Sequence, residues 1–147
     1  MNPVNATTPT AVDLFASALH FHPDGEVRAA GRRMANGDPG SWQLAAFHAE
    51  TDADVHADHW EMHPEADEAV CCLTGGARIH FRPAGPDDTT DTADAGDTVQ
   101  LKPGTTVIVP RGRWHRVELD APSDLMSITL PNGTRHEKRT EKRTGTR

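Results

Sequence analysis

Short runs of alternating apolar and polar residues recur along the chain, and glycine or proline separates most of them. Successive side chains of a β-strand point to opposite faces, so each run is typical of a strand with one buried face. About eight such strands, with turn residues between them, predict an all-β barrel or jelly roll. The clearest runs are residues 42–48, 68–73, 77–81, 96–101, 105–109, 114–119 and 125–130.

Glycine and proline also predict where the chain turns. Proline fixes φ and glycine tolerates positive φ, so His22-Pro23-Asp24-Gly25 predicts a turn. Gly75-Gly76 predicts a tight turn that closes one strand before the next begins. Residues 36–40 and the acidic stretch 82–97 predict longer loops, and the second is expected to be mobile.

The two ends of the chain are predicted to lie outside the barrel, which covers residues 21–133. Residues 1–20 predict an N-terminal arm, within which residues 11–19 have the spacing of a short helix or of an entry strand. Residues 134–147 predict a basic, flexible tail, because a run of charges at a chain end is typically solvated and frayed.

Acidic and imidazole side chains gather around one predicted turn. Glu61 and His63 are two residues apart, so they share a strand face. Proline cannot donate to a ladder, so Pro64–Asp67 predicts a turn, and Glu68 re-enters a strand close to the first pair. Two carboxylates and one imidazole therefore converge, and His115 begins another strand where the mouth of a barrel is expected.

Two stretches carry these residues at a regular spacing. The first reads Glu61-x-His63, four residues, Glu68, six residues and Gly75. The second reads Gly104, five residues, Pro110-x-Gly112, two residues and His115. The two stretches resemble the paired motifs of the cupin superfamily. The family has histidine where this chain has Glu61, and often asparagine where this chain has Leu119.

The resemblance implies a double-stranded β-helix barrel that holds a divalent metal ion at Glu61, His63, Glu68 and His115. It also implies a homodimer, which would cover the edge strands. It implies no single reaction, because this fold hosts isomerases, dioxygenases, cyclases, sensors and storage proteins. A mixed set of imidazole and carboxylate groups suits Zn(II), Fe(II), Mn(II) or Ni(II).

The favoured hypothesis is a metal-dependent enzyme that acts on a small organic molecule. Fe(II) would favour oxygenation, whereas Zn(II) would favour cyclisation or isomerisation, because zinc has no redox chemistry. Glu61 would bind the metal directly, act as a general base that moves a proton, or orient His63. The alternatives are a non-catalytic cupin that binds or senses a small ligand, and a metal-free barrel that acts in assembly.

Strand parity predicts the surroundings of the site. Cys72 is predicted to face the pocket, as a small apolar filler or as a contact for the substrate. Arg113 shares the parity of His115 and is the preferred residue to orient an anionic substrate. Trp60 and Trp114 fall on the opposite face and are predicted core or interface groups. The histidines predicted to decorate a polar strand or loop are His48, His56 and His59.

Composition and charge narrow the classes of function. The 147 residues suit one domain, with a net charge of −7. Residues 134–147 hold six basic and two acidic residues, a net +4 that leaves −11 on the remainder. An acidic body argues against a nucleic-acid partner.

Membrane and secretion signals are not expected. No apolar run approaches the ~20 residues that span a bilayer, and residues 1–10 lack the pattern of a signal peptide. The adjacent Cys71 and Cys72 face opposite ways on a strand, so no disulfide is expected between them. This cysteine usage predicts a reducing, cytoplasmic setting.

Overall fold

The structure is a computed structural model that describes residues 8–31, 40–83 and 97–139. Within these ranges the chain forms nine strands and one short 3-10 helix, Asp52–Val55, and every strand pairing is antiparallel. The all-β prediction is confirmed. The strands are β1 Ser17–Phe21, β2 Val27–Gly31, β3 Trp42–Ala49, β4 His59–Met62, β5 Glu68–Phe81, β6 Thr98–Leu101, β7 Thr105–Val109, β8 His115–Thr129 and β9 Arg135–Lys138.

Strand β8 organises the jelly-roll barrel because it pairs with β3, β4 and β5. One path through the sheet runs β2-β1-β3-β8-β4-β9, and β5 pairs with β8 along its length and with β7 and then β6 on its other edge. The inward faces of these strands form one apolar core. Its buried members are Val70, Cys72, Ala77, Ile79, Phe81, Leu101, Val109 and Leu125.

The tight turn predicted at Gly75-Gly76 is wrong, because β5 continues through both glycines. Gly75 has φ +84°, and the register of β5 against β8 shifts between Cys72 and Ala77. Gly75 therefore forms a β-bulge, in which one extra residue of β5 adopts positive φ and the strand then continues. At the same point β5 changes partner from β7 to β6, and the Gly104 N–H donates to the Cys72 carbonyl at 2.8 Å.

The two strands predicted at 114–119 and 125–130 are one strand, β8. Pro122 lies within β8. Because proline has no backbone N–H, it cannot donate a hydrogen bond to the neighbouring strand at this point. The bulge of β5 lies opposite Pro122, and there the side-chain hydroxyl of Ser123, rather than a backbone group of β8, forms hydrogen bonds with β5. It accepts the Gly76 N–H at 2.9 Å and lies 3.0 Å from the Gly76 carbonyl.

The predicted ends of the barrel also need correction. Ser17–Phe21 is strand β1, which agrees with the entry-strand alternative for the end of residues 11–19 and extends the barrel into the predicted arm, and residues 14–16 form a turn rather than a helix. Arg135–Lys138, predicted as flexible tail, pairs with β4 as strand β9. The predicted loop residues 36–39 and 84–96, and the ends 1–7 and 140–147, lie outside the described residues. No helix in the described ranges is long and apolar enough to cross a membrane.

Candidate metal centre

Three strands bring the four predicted ligands together. Glu61 on β4 lies directly opposite His115 on β8, His63 follows the end of β4, and Glu68 begins β5. One donor atom from each side chain lies within 4.8 Å of the donor atoms of the others. Glu61 is partly exposed, whereas His63, Glu68 and His115 are buried.

Backbone contacts tie the two motifs to each other. The Gly112 N–H donates to the His63 carbonyl at 2.8 Å, and the Arg111 N–H donates to the Asp67 carboxylate at 2.9 Å. Gly112 has φ +79°, a conformation that favours glycine. The turn before His115 is therefore held against the bend between His63 and Glu68, which fixes the ligands relative to one another.

Both imidazole rings point Nε2 at the carboxylates. His63 Nε2 lies 2.9 Å from Glu61 Oε1 and 3.3 Å from Glu68 Oε2. His115 Nε2 lies 3.0 Å from Glu68 Oε1 and 3.9 Å from Glu61 Oε1. Two nitrogen and two oxygen donors thus face one small volume.

The other ring nitrogen of each histidine is already committed. His63 Nδ1 lies 2.8 Å from Thr134 Oγ1, and the Thr134 hydroxyl donates its own proton to the Pro131 carbonyl at 2.8 Å. His115 Nδ1 lies 3.1 Å from the Arg113 carbonyl, which can only accept. Each Nδ1 must therefore carry the proton, and Nε2 of the neutral ring presents a lone pair.

Lone pairs that face carboxylates at about 3 Å repel them unless a cation lies between, so this arrangement requires positive charge. A divalent metal supplies that charge, and a histidine whose Nδ1–H is hydrogen bonded is the usual metal-ligating form. Two carboxylates offset the charge of the dication. The residues therefore fit a divalent metal, and their donor types suit Zn(II), Fe(II), Mn(II) and Ni(II) alike.

In the metal-free centre, a bound proton supplies the positive charge that the carboxylates require. Burial opposes ionisation of Glu61, but His63 and then His115 outweigh it and lower the pKa of Glu61 to about 2. Burial also disfavours the charged form of His63, yet Glu61 and Glu68 raise the pKa of His63 to about 10. At Glu68 the two histidines likewise overcome burial and lower the pKa. The metal-free centre at neutral pH therefore holds ionised carboxylates and a proton on His63.

Metal binding should release this proton. Because the pKa of metal-free His63 is about 10, a metal must displace its proton at pH 7. We expect the apparent affinity to rise by about tenfold per pH unit as the pH increases towards 10, and to level off above it. Calorimetric titrations in buffers of different ionisation enthalpy measure the release. Affinity that does not change with pH, with no proton released, would contradict this electrostatic picture.

A cavity of about 220 Å³ adjoins the centre and includes Glu61, Glu68 and His115 in its wall. The remaining wall is mixed, with apolar side chains and a group of polar side chains. The apolar residues are Phe47, Val55, Val70, Val117 and Leu125, and the polar ones are Asp54, His56, His59, Arg116, Ser127 and His136. The arrangement leaves room for a small molecule beside the metal ligands.

Neither predicted substrate residue lines this cavity. Cys72 has the predicted inward parity but is 1% exposed in the apolar core, where burial raises the pKa of its thiol. Its position agrees with the apolar-filler interpretation. Arg113 donates from Nε to the Arg82 carbonyl at 3.0 Å and lies over the Phe81 ring at 5.2 Å. Parity predicted the inward face of Cys72 but not its depth along the barrel, and Arg113 precedes β8, where strand parity does not apply.

The tryptophan prediction is confirmed for Trp60, which is 1% exposed in the core. Two of the three histidines assigned to a polar strand or loop, His56 and His59, line the cavity. The third, His48, instead pairs with Asp124 and Glu50 at the surface.

Two contacts of the centre come from a segment that sequence reasoning placed in the tail. His136 Nε2 lies 2.8 Å from Glu61 Oε2, and Thr134 contacts His63 as described. The sequence Arg135–Lys138 carries no hydrophobic alternation that marks a strand, because all four residues are polar and exposed. Its charged composition favoured a flexible tail.

Comparisons with known proteins find similarity in solved structures only. No family model matches the sequence, and no curated protein matches it significantly. A cupin-2 domain containing protein from Shewanella frigidimarina is 19% identical over 60% of this chain and 70% of that chain, with a TM-score of 0.44. A cupin superfamily protein from Desulfitobacterium hafniense is 20% identical over 61% of this chain and 65% of that chain, with a TM-score of 0.41. The chain is similar to cupins.

A further similar structure is oxalate decarboxylase from Bacillus subtilis, a protein with Mn(II) centres. It is 18% identical over 67% of this chain, with a TM-score of 0.43. This chain spans 23% of the length of that enzyme. The chemistry of the present centre follows from its own residues.

Proposed function

We propose that this protein binds one divalent metal ion and acts as a metal-dependent enzyme on a small organic molecule with an oxygen donor group. The observation that carries the proposal is the convergence of two imidazole Nε2 atoms and two carboxylates at one wall of a cavity of about 220 Å³. The Nδ1–H groups of both histidines donate to other acceptors, the Thr134 hydroxyl and the Arg113 carbonyl, which leaves Nε2 for the metal. This geometry supports a centre that is built for a cation.

The cavity selects the substrate by size and polarity. Its volume of about 220 Å³ lies below the ~300 Å³ at which pockets for drug-sized ligands begin. Phe47, Val70 and Leu125 would contact an apolar part of the molecule, while its oxygen would face the ligands. A bound divalent metal supplies Lewis acidity, which polarises such an oxygen.

Glu61 is the residue that we assign to proton transfer. Its Oε1 faces the centre, and its pKa of about 2 in the metal-free centre keeps the carboxylate ionised at neutral pH but also makes it a weak base, so it would accept a proton only from a substrate that the metal has made more acidic. Its second oxygen contacts His136, whose side chain is 57% exposed. This contact offers a path for the proton to solvent. A proton path of this kind favours isomerisation or cyclisation, which require proton transfer, over oxygenation.

Replacing Glu61 by glutamine separates proton transfer from metal binding. Glutamine keeps the shape and an oxygen donor but cannot accept the proton, so we expect metal affinity to fall by no more than about tenfold. We expect kcat to fall by about a hundredfold, as is typical for loss of a general base. Turnover is measured by mass spectrometry with metal-loaded protein and a panel of small hydroxy and oxo compounds.

The matched control is His48→Gln, because His48 lies at the surface, away from the cavity wall and from the four ligands. Compounds that bind the metal-loaded protein but are never converted would support the binding or sensing alternative instead. Oxygen consumption by the Fe(II)-loaded protein in the presence of a substrate would identify an oxygenase. The homodimer and the cytoplasmic location stay predictions, and light scattering in solution tests the first.

A further inference from the structure

Strand β9 and the turn before it contact two of the four candidate ligands. Thr134 lies against His63 Nδ1, and His136 lies against Glu61 Oε2. We propose that Thr134 and His136 are positioning residues of the metal centre, and that this C-terminal segment is a built part of the site. The inference rests on the proposed metal binding, because it concerns how the ligands are held.

Thr134 is placed by a turn that packs on the first motif. The Thr134 N–H and its hydroxyl both donate to the Pro131 carbonyl, at 3.1 and 2.8 Å. The hydroxyl oxygen therefore keeps its lone pairs for the His63 Nδ1–H. Gly133 has φ +71°, and a Cβ there would lie 3.1 Å from Pro64 Cγ. The turn thus approaches the residue that directly follows His63.

His136 acts on the orientation of Glu61. In the strand register His136 and His115 both lie opposite Glu61, one on each side, so the three side chains form a row across β9, β4 and β8. His136 holds Oε2, and Oε1 is thereby turned towards His63 Nε2 at 2.9 Å. Without His136 the partly exposed Glu61 side chain would be free to rotate towards solvent.

A separate contact on the opposite face of β9 holds the strand in place. The Arg82 guanidinium donates to both carboxylate oxygens of Glu137, at 3.1 and 3.3 Å. The same guanidinium lies over the rings of Trp114 and Trp60, at 4.6 and 5.6 Å. Bidentate pairing and ring stacking fix the geometry of arginine well. His136, which faces the ligands, therefore lies on a strand that the contact between Arg82 and Glu137 holds in place.

The test compares paired variants in the full chain. Thr134→Val removes the hydroxyl at nearly constant shape, and Thr134→Ser restores it. His136→Ala removes the contact to Glu61, and His136→Gln restores a donor at a similar position. Arg135→Ala, on the same strand but with its side chain on the other face, is the control. Co(II) is the probe, since its visible absorption reports coordination geometry as well as binding.

We expect Thr134→Val and His136→Ala to weaken Co(II) binding by about 10- to 100-fold and to change the Co(II) spectrum, as loss of groups that orient ligands does. Thr134→Ser, His136→Gln and Arg135→Ala should retain both the affinity and the spectrum of the wild type. A second readout needs no metal. The buried His63 Nδ1–H should give a downfield proton resonance that Thr134→Val loses and Thr134→Ser keeps.

The outcomes separate this inference from the proposed function. Wild type that binds Co(II), with both affinity and spectrum unchanged in folded Thr134→Val and His136→Ala, would overturn the positioning role and leave the metal centre intact. Loss of Co(II) binding in Arg135→Ala as well would also overturn it, because the effect would then be general to the strand. Wild type that binds no Co(II) would overturn the proposed function, whatever the proton resonance shows.

Discussion

Replacing His115 by asparagine should abolish metal binding while the barrel stays folded. Asparagine retains an N–H that can donate to the Arg113 carbonyl, as His115 Nδ1 does, but it has no atom at the position of Nε2. The centre loses one of two nitrogen donors, and Glu68 loses its closest imidazole contact, the His115 Nε2 atom at 3.0 Å. We expect affinity to fall by at least about a thousandfold, or about 4 kcal/mol. Titration calorimetry with Zn(II) and Mn(II) measures it.

The control for this change is His59→Asn. His59 lines the same cavity, and its Nδ1 contacts Asp58 at 2.8 Å rather than the four ligands. We expect His59→Asn to bind metal as the wild type does. Equal affinity of His115→Asn and wild type would show that the convergence of the four side chains is not a metal centre.

Replacing Gly75 by alanine should destabilise the fold by at least about 3 kcal/mol. A side chain at φ +84° costs about 1–2 kcal/mol by itself. The new Cβ would also collide with the Ser123 hydroxyl and the Pro122 carbonyl, and would lie only 2.8 Å from Ser123 Cα. Backbone atoms cannot move aside as the end of a flexible side chain can. The free energy of unfolding, from urea denaturation, measures the loss.

Gly104 offers a matched control because it has the same φ, +84°, and no atom within 4 Å of the added Cβ. Gly104→Ala should therefore cost only the conformational part, about 1–2 kcal/mol. The difference between the two variants isolates the collision of β5 with β8. Equal losses would mean that the close approach at Gly75 is absent in solution.

Local periodicity predicted those parts of the structure that depend on neighbouring residues. The predicted strand 105–109 coincides with β7, and the two-residue spacing of Glu61 and His63 placed both at the centre. Gly75-Gly76 was wrong as a turn, because glycine suits a bulge and a reversal equally well. Only pairing with β8 decides between them, and that pairing is set by residues more than forty positions away.

Long-range contacts explain the other failures. Strand β9 depends on Arg82, 55 residues before Glu137, and on Glu61, 75 residues before His136. A charged segment at the end of a chain gives no local sign of such partners. Period-two alternation also cannot tell how far along the barrel a side chain lies, which is why Cys72 was predicted on the correct face but in the pocket, whereas it lies in the core outside the cavity.

The measurement that tests the central claim most directly is the metal content of the wild type, by elemental analysis of protein purified without a metal-chelating column. We predict close to one divalent metal ion per chain, as purified or after reconstitution, and its loss in His115→Asn. The identity of the metal then directs the assays, to oxygen consumption for iron and to isomerisation or cyclisation for zinc. Wild type that holds no metal even after reconstitution with Zn(II), Fe(II), Mn(II) and Ni(II) would contradict the metal centre.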